Sequence, residues 1–156
     1  MTGYRLPAQE QFERWAAQVP DGFRFAVKMP SHALRALDTF SERVHALGDR
    51  LGPIRIVLQG KRDDGLLELL RGSLDPALEL AFDFRHESWD GTLGVVRVND
   101  LDPALPFRYV RLREPPYGED DLRAWAARIE PPAYVYLRHE DEPTAPAYAT
   151  RLAELL

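Results

Sequence analysis

Hydrophobic positions along the chain follow two alternating spacings, one typical of α-helices and one typical of β-strands. Phe12, Trp15 and Val19 share one helical face and predict a helix from Ala8 to Gln18, whereas Phe23 to Lys28 alternates as a strand does. The same patterns predict further helices from Leu34 to Leu51, Asp63 to Arg71, Glu119 to Ile129 and Ala145 to Leu156. They predict further strands from Ile54 to Gln59, Leu78 to Arg85, Gly94 to Val98, Tyr109 to Leu112 and Ala133 to Leu137.

Strand segments mostly separated by helices predict an α/β fold with about six mostly parallel strands and flanking helices. The 156 residues fit a single domain. Two architectures compete: an open doubly wound sheet, and a (β/α)₈ barrel with parts missing, because a complete barrel usually takes about 250 residues. No glycine-rich phosphate loop follows the first strand, so the usual nucleotide-binding mark of the open sheet is missing.

Composition narrows the class of protein. The chain is 45% hydrophobic, which supports a folded core, and its net charge of −5 argues against a surface that binds nucleic acid or anionic membranes as a whole. Cysteine is absent, which excludes disulfides, thiolate catalysis and cysteine-ligated metals. No apolar run reaches the roughly 18 residues of a membrane span, and no signal peptide is visible, so we expect a cytoplasmic protein that does not bind membranes.

The carboxyl ends of the predicted strands are polar. They carry Lys28, Gln59, Asp83, Arg85, Arg111 and Arg138. In parallel α/β folds the ligand site lies at these ends, and clustered cationic groups suit phosphate or carboxylate. The sequence therefore predicts a site for a phosphate-bearing or other anionic small molecule, or for a short segment of nucleic acid.

Other side chains near the strand ends allow several roles. Trp89 offers a flat surface for a base or sugar, or else packs in the core. Asp83 and His86 are candidates for moving protons, although an internal ion pair between Asp83 and Arg85 is an equal alternative. His32, His86 and His139 each follow a strand, but no HxH or HExxH spacing supports a metal, so no metal or cofactor is predicted.

The segment Phe82 to Trp89, FDFRHESW, resembles the YecE-like family, the domain of unknown function 72. Tyr4 to Pro7, the run from Trp15 to Lys28, Ser31-His32 and the stretch from Leu51 to Gln59 support the resemblance, and Tyr109 to Leu112 and Tyr134 to Leu137 look like the family's last two strands. The resemblance implies a TIM-barrel-like fold in which the six strands are the third to the eighth. It implies no reaction, so enzymatic activity stays open.

Family positions carry over residue by residue. Lys28, Gln59, Arg85, His86, Trp89 and Arg111 match by position. Asp83 stands where the family usually has glutamate, and Arg138-His139 replaces two asparagines, which makes Arg138 the weakest member of the cluster. Two alternatives to anion binding remain: a metal-dependent phosphoesterase or nuclease-like enzyme, and a non-catalytic interaction domain.

The family's first strand-helix unit and most of its second strand have no counterpart before Tyr4. Either the natural protein is longer, or the chain is a shortened relative with open sheet edges. Exposed parallel edges invite pairing, so a homo-dimer that covers them is the expectation in the second case.

Overall fold

The computed structural model describes residues 6–138 and 143–156. The chain divides into two compact units, Met1–Leu93 and Gly94–Leu156. Each unit combines parallel strands with flanking helices, which confirms the predicted α/β class. The barrel that the resemblance implies and the single domain expected from length both stay predictions.

Over its described residues, 6–93, the first unit is built on three parallel strands. They are β1, Phe25–Lys28, β2, Leu51–Leu58, and β3, Leu80–Phe84, and they lie in the order β1-β2-β3. Its helices are α1, Gln9–Ala17, α2, Leu37–Val44, and α3, Asp64–Ser73, with 3-10 helices at Ser31–Arg35 and His45–Arg50. The predicted strands of this unit and two of its three predicted helices are therefore present with shifted ends, and the third predicted helix is divided.

The two faces of this sheet differ in chemistry. Ile54, Ile56 and Leu58 are buried, so one face of β2 belongs to the hydrophobic core. The residues between them point the other way, because side chains alternate along a strand. Lys28 lies beside Arg55 in the register of β1 and β2. Residues paired in this way share a face, so the polar side chains of β1 and β2 lie on the face opposite the core.

The long helix predicted from Leu34 to Leu51 is the main difference from the sequence expectation. In its place the chain forms a 3-10 helix, α2 and a second 3-10 helix. The backbone leaves helical geometry at Ala36, before α2, and again at Gly48, which has φ +52° inside the second 3-10 helix. β2 begins at Leu51, which pairs with Phe25 of β1. The register then shifts by one residue before Ile54 pairs with Val27, and this shift accommodates Gly52 and Pro53. Such a bulge is where a strand tolerates glycine and proline. A Cβ on Gly52 would lie 3.1 Å from the Phe25 carbonyl oxygen, so the close approach favours glycine.

In its described residues, 94–138 and 143–156, the second unit contains three strands and two helices. They are β4, Val96–Arg97, β5, Arg108–Leu112, α4, Glu119–Ala126, β6, Ala133–Leu137, and α5, Ala145–Leu155. β5 and β6 pair in parallel along their whole length, and Val98 bridges to Tyr109. Their core contains Val110, Leu112, Leu122, Ile129 and Leu152. The two helices thus cover one face of the β5–β6 pair.

Across the two described stretches of chain, the structure contains no helix that is long and apolar enough to cross a membrane.

Replacing Phe40 with alanine tests the core of the first unit. Phe40 lies on α2 and is completely buried, so Phe40→Ala should lower the free energy of unfolding by about 3–5 kcal/mol in urea titrations. Leu69 on α3 is 52% exposed, and Leu69→Ala should change the same quantity by about 0.5 kcal/mol or less. Equal losses in the two variants would contradict the assigned burial.

An ion-pair network joins the two helices of the second unit. The Nε of Arg151 on α5 donates to Oε2 of Glu119 at 2.9 Å, and Nη2 of Arg123 lies 2.6 Å from Oε1 of the same carboxylate. The hydrogen bonds from Arg151, with smaller contributions from Arg123, lower the pKa of Glu119 from 4.5 to about 2, although desolvation opposes them.

This network predicts a pH dependence of stability. Because the folded pKa of Glu119 lies below its unfolded value, its contribution is complete above about pH 4.5 and is lost as the pH falls towards 2. NMR titration of the Glu119 carboxyl carbon should give a pKa near 2, and Arg151→Ala should raise it towards 4.5. An unchanged pKa in that variant would show that Arg151 does not hold the carboxylate.

Candidate functional site

Lys28 is the last residue of β1 and is exposed. It lies next to Arg55 on the neighbouring strand and on the same face of the sheet. Among residues 6–138 and 143–156, no carboxylate forms an ion pair with Lys28. The predicted ligand residue therefore presents an amine to solvent at the carboxyl end of the sheet.

A buried carboxylate shared by two arginines lies on the same face. Asp83 on β3 is 6% exposed, and its Oδ2 accepts hydrogen bonds from Nε of Arg55 at 2.6 Å and from Nη2 of Arg85 at 2.9 Å. Nη2 of Arg55 also donates to this oxygen. The ion pair between Asp83 and Arg85 that the sequence left as an alternative is thus present, with Arg55 as a second partner.

The arrangement has a clear electrostatic consequence. One carboxylate cannot balance two guanidinium groups, so this side-chain cluster keeps a surplus of positive charge. The Arg55 side chain is only 11% exposed, whereas that of Arg85 is 34% exposed. Arg55 therefore balances Asp83 inside the protein, and Arg85 has N–H groups at the surface with which it can bind an anion.

Arg55 is a member of the cluster that sequence reasoning missed. It lies between Ile54 and Ile56 in an apolar strand, where a single polar residue reads as solvent-facing. The available signal was its spacing: Arg55 is four residues before Gln59, so both belong to the same alternating set. Gln59 itself follows β2 directly and is exposed, at the carboxyl end as predicted.

The turn after β3 fixes the ring of His86. The Ser88 backbone N–H donates to Nδ1 of His86 at 3.1 Å, and the Ser88 hydroxyl oxygen lies 3.0 Å from the same nitrogen. That hydroxyl oxygen also accepts from the backbone N–H of Arg62 at 2.8 Å. Because Nδ1 accepts a hydrogen bond, the neutral ring carries its proton on Nε2.

Trp89 is a packing residue in this structure. It is 2% exposed, its ring stacks on Phe84 with centroids 4.4 Å apart, and its Nε1 donates to the Gly60 carbonyl oxygen at 3.0 Å. The predicted flat surface for a ligand is therefore buried. Its indole N–H instead attaches the loop after β2 to the turn after β3.

Arg111 lies in the second unit, near the end of β5, beside Tyr136 in the β5–β6 register. Asn99, which sequence reasoning missed, holds its backbone: Oδ1 accepts from the Arg111 N–H at 2.6 Å and Nδ2 donates to its carbonyl oxygen at 3.3 Å. Arg138 is exposed after β6, and its backbone N–H donates to the Leu112 carbonyl oxygen at 2.8 Å. A site shared by Arg111 and Lys28 stays a prediction.

The histidines considered as metal ligands have other contacts. Nε2 of His32 accepts from the Leu6 backbone N–H at 3.2 Å, and Nδ1 of His86 accepts from the Ser88 backbone N–H at 3.1 Å. His139 lies outside the described residues, as do Tyr4 and Arg5. Within the described parts of the chain, the structure brings together no group of three histidine, aspartate or glutamate side chains able to hold a metal ion.

Comparison with known families gives one assignment. The family described as "Protein of unknown function DUF72" matches residues 1–101. The chain belongs to the DUF72 family. The match includes β1 to β4 and the segment Asp83 to Trp89, whereas the likeness of β5 and β6 to the last DUF72 strands stays a prediction. Neither the curated proteins nor the solved structures yield a match to the chain.

Arg55→Ala tests whether the buried cluster holds the sheet together. It removes one of two partners from a nearly buried carboxylate, which typically costs about 3 kcal/mol or more of unfolding free energy. Arg71 makes an exposed pair with Glu68 on α3, and Arg71→Ala should cost less than about 1 kcal/mol. Both are measured by urea denaturation, and the cluster is not structural if Arg55→Ala costs no more than its control.

Proposed function

We propose that this DUF72 protein binds a phosphate-bearing or other anionic small molecule at the carboxyl ends of β1, β2 and β3. The observation that carries the proposal is the surplus of positive charge on one face of this sheet. Lys28 has no ion-pair partner among the described residues, and Arg85 shares a single carboxylate with Arg55. This surplus occurs in a protein whose net charge is −5.

The physical argument is one of compensation. The protein has more acidic than basic residues, so it has enough carboxylates to pair its cations. Cations that nevertheless lack a full partner and lie on the same face of the sheet repel one another. An anion bound between Lys28 and Arg85 removes that repulsion. Arg85 can offer a fork of N–H groups to two oxygens of a phosphate, whereas Lys28 supplies a compact charge.

Each remaining residue has a proposed role. Asp83 and Arg55 orient Arg85, because the shared carboxylate fixes its guanidinium. Gln59 offers its side-chain amide to the ligand from the end of β2. His86, with Nδ1 engaged by Ser88, can donate from Nε2 to an anionic oxygen or move a proton to it.

Binding without chemistry is the simpler form of the proposal. Oδ2 of Asp83 accepts hydrogen bonds from two arginines, so this oxygen holds cations in place and is not presented to a ligand. The metal-dependent phosphoesterase alternative requires a ligand cluster, and no such group occurs among residues 6–138 and 143–156. If the protein is an enzyme, His86 is the candidate for proton transfer.

The proposal predicts saturable binding of pyrophosphate by the full chain at low salt. Lys28→Ala and Arg85→Ala should each weaken the affinity about tenfold in calorimetric titration, because each removes a charged contact to the anion. Arg24→Ala is the matched control, since Arg24 is exposed and precedes β1 at its other end, and it should leave the affinity unchanged within about twofold.

Two results would contradict the proposal. One is the absence of saturable binding of both pyrophosphate and inorganic phosphate at low ionic strength. The other is an equal effect of Arg24→Ala and Lys28→Ala, which would indicate that the whole charge of the protein matters and not this face. Thermal denaturation of each variant checks that it is folded.

A further inference from the structure

A cavity of about 420 Å³ lies in the second unit, at the carboxyl end of β5. Its walls are the end of β5, the loop from residue 113 to 118 and one side of α4. The side chains that matter for recognition are Arg113, Glu114, Tyr117, Trp125 and Arg128. Ligand sites for small molecules commonly measure about 300–1,000 Å³, so the cavity has room for a compact ligand.

The walls of this cavity are held by local hydrogen bonds. The Tyr117 hydroxyl oxygen accepts from the Glu114 backbone N–H at 2.8 Å, and the Gly118 backbone N–H donates to Oδ2 of Asp121 at 2.8 Å. The ring of Tyr117 also packs edge-on against Tyr148, with centroids 5.6 Å apart. Contacts within the protein thus shape the loop, and Asp121, though it lines the cavity, is engaged at the start of α4.

Two arginines of this cavity lack the partners that other arginines of the unit have. Arg123 and Arg151 pair with Glu119, whereas neither Arg113 nor Arg128 forms an ion pair with any described residue. The guanidinium carbon of Arg128 lies 5.0 Å from the ring centroid of Trp125. Stacking of this kind leaves the N–H groups at the guanidinium edge available to an anion.

The chemistry of the lining combines these elements. Arg113 and Arg128 suit a phosphate group, and the stack of Arg128 on Trp125 gives a flat, positively charged surface. The Glu114 carboxylate accepts hydrogen bonds and so suits an amino group on a ring. A phosphate, a flat ring and an amino group together describe a nucleotide with an amino-bearing base.

We propose that the cavity at the end of β5 binds a nucleoside monophosphate, with its phosphate on Arg113 and Arg128 and its base against the stack formed by Trp125 and Arg128. This site uses residues of the second unit and is independent of the anion site proposed for the first unit.

The test is calorimetric titration of the full chain with AMP at low salt. Arg113→Ala and Arg128→Ala should each weaken AMP binding about tenfold, because each removes a charged contact to the phosphate. Arg123→Ala is the matched control: Arg123 lies on α4, which forms one wall of the cavity, but it pairs with Glu119, and the variant should bind AMP within about twofold of the unchanged chain. Arg113→Lys keeps the positive charge, so its affinity for AMP should lie between that of the unchanged chain and that of Arg113→Ala.

Two further ligands separate the parts of the proposal. Adenosine should bind at least tenfold more weakly than AMP, since it lacks the phosphate, and inorganic phosphate should bind more weakly than AMP, since it lacks the base. AMP should also shift the NMR amide signals of residues 111–117 and the indole N–H signal of Trp125. Adenosine that binds as well as AMP would overturn the assigned role of the arginines.

Failure of this inference is distinguishable from failure of the proposed function. If Lys28→Ala weakens AMP binding and Arg113→Ala does not, the cavity site is overturned and the first unit's anion site is supported. Loss of AMP binding in Arg113→Ala alone, with unchanged pyrophosphate binding, supports the cavity site by itself. The absence of saturable AMP binding overturns the inference outright.

Discussion

The shared carboxylate of Asp83 is the interaction on which the polar side of the first unit depends. A carboxylate that is 6% exposed is costly to fold into the protein unless cationic donors replace its water, and Arg55 and Arg85 supply those donors. The dependence is mutual, because Arg55 is itself 11% exposed and has no other described carboxylate within ion-pair distance. The same interactions therefore join β2 to β3 and fix Arg85 at the surface.

Elements with strong local signals could be predicted closely from the sequence. β6 begins at Ala133 and ends at Leu137 as predicted, because the prolines at 131 and 132 mark its start. α3 begins one residue after its predicted start, because the Asp63 side chain accepts from the Leu66 N–H and caps it. The helix predicted from Leu34 to Leu51 is instead interrupted at Ala36 and at Gly48, and these divisions depend on backbone geometry and on the pairing of β2 with β1.

The candidate site could be predicted only in part, for a related reason. Lys28, Gln59 and Arg85 could be predicted from the rule that ligand sites lie at the carboxyl ends of strands. Applying that rule requires only the order of strands and polar residues along the sequence. Arg55 lies inside a strand, and its partnership with Asp83 depends on the β2–β3 register, which the sequence does not contain. Trp89 had two interpretations, and only its burial against Phe84 distinguishes them.

Each unit has cations at strand ends that lack full partners among the described residues, although the protein has more acidic than basic residues. Surface arginines elsewhere show that carboxylates were available: Arg71 pairs with Glu68, and Arg151 pairs with both Glu119 and Glu154. Unbalanced cations therefore do not follow from a shortage of acid. At these positions an incoming anion gains charged hydrogen bonds without breaking an existing pair, whereas at Arg151 it would have to displace two carboxylates. That difference in cost is the physical reason to look for ligands at the strand ends and not on the helix surfaces.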